Sequence, residues 1–308
     1  MYLVIAFSGF VLLALVGILD KSILQKTLHR PVLFVFYSTI FVLPILLLAP
    51  FGAGVLATGL HWFLAAVSGV AFGLALWATY IAIHESEVSH AGPLIGAATP
   101  FFVLILSRYF LGEVVTFRQQ IGIAVLIVGS LLIALEKSRR HNGWHRGMLW
   151  GILAGLAFAI SHVTAKYIYD LYGFYTGFVY TRGAMGLFGA ALLLWPGVLT
   201  ALRRKKPAVI AAQHLPRASD PGAGKFLIIV VDKVLGVIGV ILVQYATAIG
   251  SVSLVNALNG VQYAVLVVLV AIFSKFYPKL FKETYSRHEL AQEIMAIALI
   301  ITGVGLLV

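Results

Sequence analysis

Two apolar runs, Val88 to Phe110 and Phe117 to Leu135, are joined by a polar break at Leu111-Gly112-Glu113. Each run is close to the roughly 20 residues a helix needs to cross a hydrocarbon core of about 30 Å. Glu113 is the only acid between Val88 and Ala134. Lipid offers the backbone no hydrogen-bond partner, and runs this long suit helices better than barrel strands. A related pattern returns near the C-terminus. There Val252 to Phe276 is apolar, Phe281-Lys282-Glu283 mirrors Leu111-Gly112-Glu113, and the final run carries Gly303 where the first copy has Gly129.

Only 11% of the 308 residues are charged and 61% are hydrophobic, whereas soluble domains carry about 25% charged residues. The chain therefore belongs in a lipid bilayer. Its net charge of +11 does not indicate nucleic acid, because the basic residues sit in the breaks between apolar runs and form no face interleaved with aromatics. Cysteine is absent, which removes disulfides and thiolate metal sites. His84-Glu85 followed by His90 superficially resembles a zinc-protease pattern, but that pattern needs its second histidine at i+4, where Val88 stands. No cofactor, metal site or catalytic constellation is implied.

Apolar windows place spans at Leu3 to Leu19, Val32 to Pro50, Leu60 to Ile83, Val88 to Phe110 and Phe117 to Leu135. After a polar bridge come Gly147 to Ile168, Phe174 to Gly197, Phe226 to Ile249, Val252 to Phe273 and Ala291 to Val308. Met1 to Leu19 has no basic start and no small-residue cleavage pattern, so it reads as the first span. The expected fold is an all-α integral membrane protein of ten transmembrane helices in two five-helix repeats, 1–136 and 145–308. An odd number of spans per copy inverts the second copy in the membrane. Lysine and arginine concentrate in the connections after the odd-numbered spans, including a long one at about 199–225 expected to be a flexible cytoplasmic loop. The positive-inside rule then puts both termini outside.

The run Ser89-His-Ala-Gly-Pro-Leu-Ile-Gly-Ala-Ala-Thr-Pro100, followed by Gly112-Glu113, Gln120-Ile-Gly122 and Ile127-Val-Gly129, resembles the EamA-type half of the drug/metabolite transporter superfamily. The resemblance implies a ten-helix carrier for amino acids, nucleotide sugars, phosphorylated sugars or other small metabolites. It also implies cytoplasmic termini, against the charge bias. The second copy departs from the pattern by placing Ala264 where Pro100 falls in the first.

Arg182 is the most informative single residue. It stands about 12 Å along its helix from Phe174 at 1.5 Å per residue, and a central arginine costs roughly 2.5 to 3.5 kcal/mol on insertion scales. It is either one member of a buried ion pair, with Asp232 as candidate partner, or an anchor for a substrate carboxylate or phosphate. His162 and Lys166 share a helix face at i, i+4, with Ser161 and Thr164 nearby. Lys166 at a helix end also fits a lysine that snorkels to the interface. Asn256, Asn259 and Tyr263 form a stripe in the ninth span, which reads as cavity lining or as glue between helices. Trp77, Tyr80 and His84 form an aromatic stripe in the third, which reads as an apolar wall of a cavity or as packing. Gly69 with Gly73, and Gly147 with Gly151 and Gly155, have spacing that suits close helix packing. Glu113 is expected to stabilise the helix that follows it.

These residues make the expected function that of a secondary transporter, not an enzyme. It would move a small polar or anionic metabolite, such as an amino acid or sugar derivative, across the cytoplasmic membrane by alternating access. The substrate-binding set would be Arg182, Asp232, Asn256, Asn259, Tyr263, Trp77, Tyr80, His162 and Lys166. The partners are a small-molecule metabolite and the lipid bilayer, with a homodimer left open. The rival reading is a membrane-embedded enzyme or assembly protein on the same scaffold.

Overall fold

The computed structural model describes residues 1–24, 31–85, 88–134, 146–203, 223–276 and 287–307. Among these residues every regular element is helical. In chain order they are α1 (Tyr2–Leu24), α2 (Pro31–Ile40), a tight 3-10 segment (Leu43–Phe51), α3 (Gly59–Glu85), α4 (Val88–Phe110), α5 (Phe117–Ala134) and α6 (Arg146–Ala191). A single 3-10 turn (Leu192–Leu194), α7 (Pro196–Arg203), α8 (Ala223–Ile249), α9 (Val252–Ala257), α10 (Asn259–Phe276) and α11 (Arg287–Leu307) complete the set. Among the described residues seven stretches of helix are long and apolar enough to cross a membrane, and Val234–Ile249 and Ala291–Leu307 are shorter apolar helices. One of the seven, Arg146–Leu194, runs for 49 residues. It turns back at Gly173, whose φ of 75° and ψ of 169° interrupt α6 and divide it into two arms, 146–172 and 174–191. Only glycine adopts such a conformation without strain.

Three expected runs differ in detail. The second begins as α-helix and tightens into the 3-10 segment, with Pro44 and Pro50 inside it. The ninth forms one membrane-crossing stretch over Val252–Val270 but tightens at Leu258, between α9 and α10, where φ and ψ are −67° and −7°. Leu199 to Arg203, expected to open the long flexible loop, instead complete α7. Pro196 supplies a pre-set φ at the first turn of that helix, and Val198 is buried in a cluster with Leu33, Phe36 and Leu192. Burial of one apolar face holds α7 in place.

Packing follows small residues. α1 lies against α8 and α10, α3 against α6, and α4 between α5 and α6. α5 and α11 cross antiparallel. A Cβ built on Gly303 would meet Leu126 Cγ at 2.6 Å and the Gly122 carbonyl at 3.0 Å, and one on Gly129 would meet the Ala296 carbonyl at 3.1 Å. In lipid, helices gain no hydrophobic energy from each other, so close van der Waals approach holds such a crossing. Gly303→Leu should therefore lower stability by about 1–3 kcal/mol. Gly305→Leu, where a Cβ would meet nothing within 4 Å, should leave it unchanged. Thermal unfolding of the two variants in the same detergent checks the contrast.

Candidate functional site

The second arm of α6 carries Arg182. Gly183, Gly186 and Gly189 let this arm close onto Leu46, Leu43 and Thr39 of the second run. From α3, Gly69 receives Ala184 and Met185, and Gly73 receives the Phe188 ring. These contacts bring Phe72 of α3 over the guanidinium, whose carbon lies 4.2 Å from the Phe72 ring centroid and 5.8 Å from that of Phe178. Arg182 is 6% exposed. Its Nη1 points at Met185 Sδ, 3.8 Å away. Its Nε is buried and makes no hydrogen bond among the described residues.

The first arm of α6 supplies the facing side. His162 stacks on Phe158, with centroids 6.1 Å apart and planes at 17°, and meets the Phe72 ring at 6.2 Å. It lies beside the Asn256 side chain and faces the Arg182 charge, while its Nδ1 is buried without a partner among the described residues. Asn256 Nδ2 donates to the Val252 carbonyl at 2.9 Å, which fixes the amide on α9. One further step along the same arm, the Tyr169 hydroxyl donates to Gln244 Oε1 at 2.9 Å. Arg182, His162 and Asn256, expected from sequence, are thus brought together in one aromatic nest.

Of the other expected residues, Lys166, Trp77, Tyr80 and Tyr263 make contacts of their own. Lys166 pairs with Asp170 at 2.7 Å and donates to the Ala248 carbonyl at 3.1 Å, so its charge is already compensated. Trp77 meets Trp195 edge-on at 5.4 Å. Tyr80 packs against Phe34 at 4.5 Å with its hydroxyl 3.3 Å from Ser38 Oγ. Both belong to the cluster around α2 and α7. The Tyr263 ring fills the groove left by Gly92 and Gly96 of α4. Asn259 is the half-buried first residue of α10. Asp232 stands on α8, but its side chain lies outside the described residues.

Sequence reasoning missed Tyr169, Gln244 and the three phenylalanines. Tyr169 follows His162 by seven residues and so shares its helix face. Gln244 is the sole amide in the apolar stretch Val234–Ile249. Either signal was available.

Glu113 was expected to serve the helix that follows it, and the structure corrects this. Gly112, at φ 65°, turns the chain so that the Leu111 and Glu113 amides both return to the Ser107 carbonyl, at 3.0 and 3.2 Å. The carboxylate then reaches across to α9. It accepts from Ser253 Oγ at 2.5 Å and from the Ser253 amide at 3.4 Å. An acid favours a nearby helix N-terminus, and the nearest one belongs to another helix.

Buried polar pairs have an asymmetric energetics: removing one partner orphans the other, whereas removing both is far milder. Gln244→Leu should lower stability by about 1–3 kcal/mol. Adding Tyr169→Phe to it should recover a large part of the loss, as read from thermal unfolding of the two single variants and the double.

No curated protein matches this sequence. A crystal structure at 16% sequence identity superposes with a TM-score of 0.65, covering 99% of this chain and 95% of that chain, and this shows the fold alone. The family comparison covers the first half, including the α4–α5 hairpin and its Gly112-Glu113 turn. Residues 1–135 match the family model described as the EamA-like transporter family.

Proposed function

We propose that this protein is a secondary carrier of ten membrane-spanning helices, which moves a small anionic metabolite across the cytoplasmic membrane by alternating access. The ten spans count the two arms of α6 separately and include α8 and α11. They form two inverted repeats, 1–136 and 145–308. The match of the first half to the model of a transporter family supports the class. Reciprocal packing supports the repeat: α1 on α8 is answered by α6 on α3, and α1 on α10 by α6 on α4. The register that aligns Gly129 with Gly303 also aligns Gly122 with Ala296. It therefore exchanges the two close contacts of the α5–α11 crossing.

The observation that carries the anion is the unpartnered Nε of Arg182. A guanidinium held in low dielectric needs a counter-charge, and Nη1 is already directed at Met185. The Nε edge is left for a carboxylate or another flat oxyanion, which arginine binds bidentately. His162 Nδ1 supplies a second unpartnered polar atom nearby. Lys166 is matched by Asp170. Arg182 is therefore the uncompensated cation of the nest among the described residues, and a singly charged substrate suits it. Asp232 remains its candidate partner in the empty state, displaced when substrate arrives.

A thermal-stability screen of detergent-purified protein tests this, run with a panel of mono- and dianionic metabolites beside Arg182→Ala. A ligand binding only the folded state adds about 2.7 kcal/mol at a hundredfold excess over its dissociation constant. Singly charged anions should raise the transition of wild type and leave Arg182→Ala unmoved. If no anion binds and Arg182→Ala is only less stable, Arg182 is a structural cation and the carrier site lies elsewhere.

A further inference from the structure

One face of the molecule is joined across the two halves by hydrogen bonds. The connection before α3 meets the bend of α6 there, with Gly54 N donating to Thr176 Oγ1 at 3.1 Å and Ala57 N to the Tyr172 hydroxyl at 2.7 Å. On the same face Tyr2 of α1 lies against Gly250, in the turn between α8 and α9. The most polar of these joints is the set of Ser107, Glu113 and Ser253. The two serines are each 1% exposed, and their oxygens stand 2.7 Å apart. The single hydroxyl proton of Ser253 goes to the Glu113 carboxylate, so Ser107 donates to Ser253.

Ser253 sits one helical turn from Asn256 on the six-residue α9, and Asn256 lies beside His162 in the nest. At Leu258 the helix tightens, with Leu258 N bonding the Val255 carbonyl at 3.2 Å and Val261 N the Leu258 carbonyl at 2.9 Å, so α9 joins α10 through a tight turn. Its outer end is capped by Ser251 Oγ, which accepts from Leu254 N at 3.0 Å. Its flank is the buried Val252, packed with Val103 of α4 and with Ala159 and Val163 of α6.

We propose that Glu113 is the positioning residue that keeps this face closed: its carboxylate holds α9 of the second half against α4 of the first. The turn from Ser253 to Asn256 links that closure to the site. The proposal rests on the carrier reading. In each transport cycle the Glu113–Ser253 contact breaks when the face opens and re-forms when it closes, with water reaching Val252 in the open state.

The chain has no cysteine, so Val252→Cys introduces its sole thiol. The test is the rate at which a water-soluble maleimide labels that thiol in purified full-length protein, with Glu113 intact or changed. Glu113→Ala should speed labelling by about tenfold or more, the shift that loss of one charge-assisted hydrogen bond from the closed state produces. Glu113→Gln should fall between, because the amide keeps a weaker bond. Ile123→Cys, buried at the α5–α11 crossing, is the control. Its labelling should not change with Glu113, whereas a merely destabilised protein would expose both thiols. Should Glu113→Ala not fold, Ser107→Ala with Glu113→Gln carries the same comparison.

Unchanged Val252→Cys labelling in a folded Glu113 variant overturns the clasp, and so does equal acceleration at Ile123→Cys. The labelling needs no substrate, which separates the two readings. An anion that binds at Arg182 with unchanged labelling removes the clasp and leaves the carrier. Selective acceleration without any bound anion keeps the clasp and removes the proposed site.

Discussion

Because hydrocarbon offers no hydrogen bond, a backbone that leaves the helix inside the membrane must find its partners within the protein. The interruptions in this chain are where side chains and turns take over that task. At the end of α4, Gly112 allows two amides to return to one carbonyl. At the start of α9, Ser251 and Glu113 accept the first free amides. At Leu258 the chain tightens instead, with Leu258 N bonding the Val255 carbonyl at 3.2 Å and Val261 N the Leu258 carbonyl at 2.9 Å. Each break is short, satisfied and near a residue of the nest or of the clasp.

The same scarcity of partners explains why Arg182 stands apart from Lys166. Lys166 has a carboxylate one turn away and a carbonyl across the helix interface. Arg182 has the Phe72 face and a methionine sulfur. A desolvated cation over an aromatic ring gains about 2 kcal/mol, comparable to the roughly 2.5 to 3.5 kcal/mol that insertion of a central arginine costs. Among the described residues the aromatic nest thus makes the charge tolerable without matching it.

The apolar runs, the α4–α5 hairpin and the small-residue contacts were legible because periodicity and residue size act locally. Gly69, Gly73, Gly151 and Gly155 are indeed places where another helix comes close. Arg182, His162 and Asn256 were legible for a different reason: a polar group in an apolar run is costly, so it stands out before any contact is known. What sequence could not give is direction across helices. Tyr263 shares a stripe with Asn256, yet its ring is taken up by the groove at Gly92 and Gly96. Glu113 precedes α5 in sequence but bonds α9, since Gly112 sets its direction and only the fold brings Ser253 to it. The start of α7 was lost for a similar reason, because Val198 finds its apolar partners on α2.

The two hairpins that look alike in sequence differ in their helices. α4 keeps Pro93 and Pro100 inside a continuous helix, so each proline removes one backbone bond without interrupting the axis. In the C-terminal hairpin Ala264 stands at the position matching Pro100, and the helix tightens earlier, at Leu258. The tight turn lies between a short segment that carries both Ser253 and Asn256 and the long helix behind it. The difference between the two hairpins therefore falls where one face of the protein meets the nest.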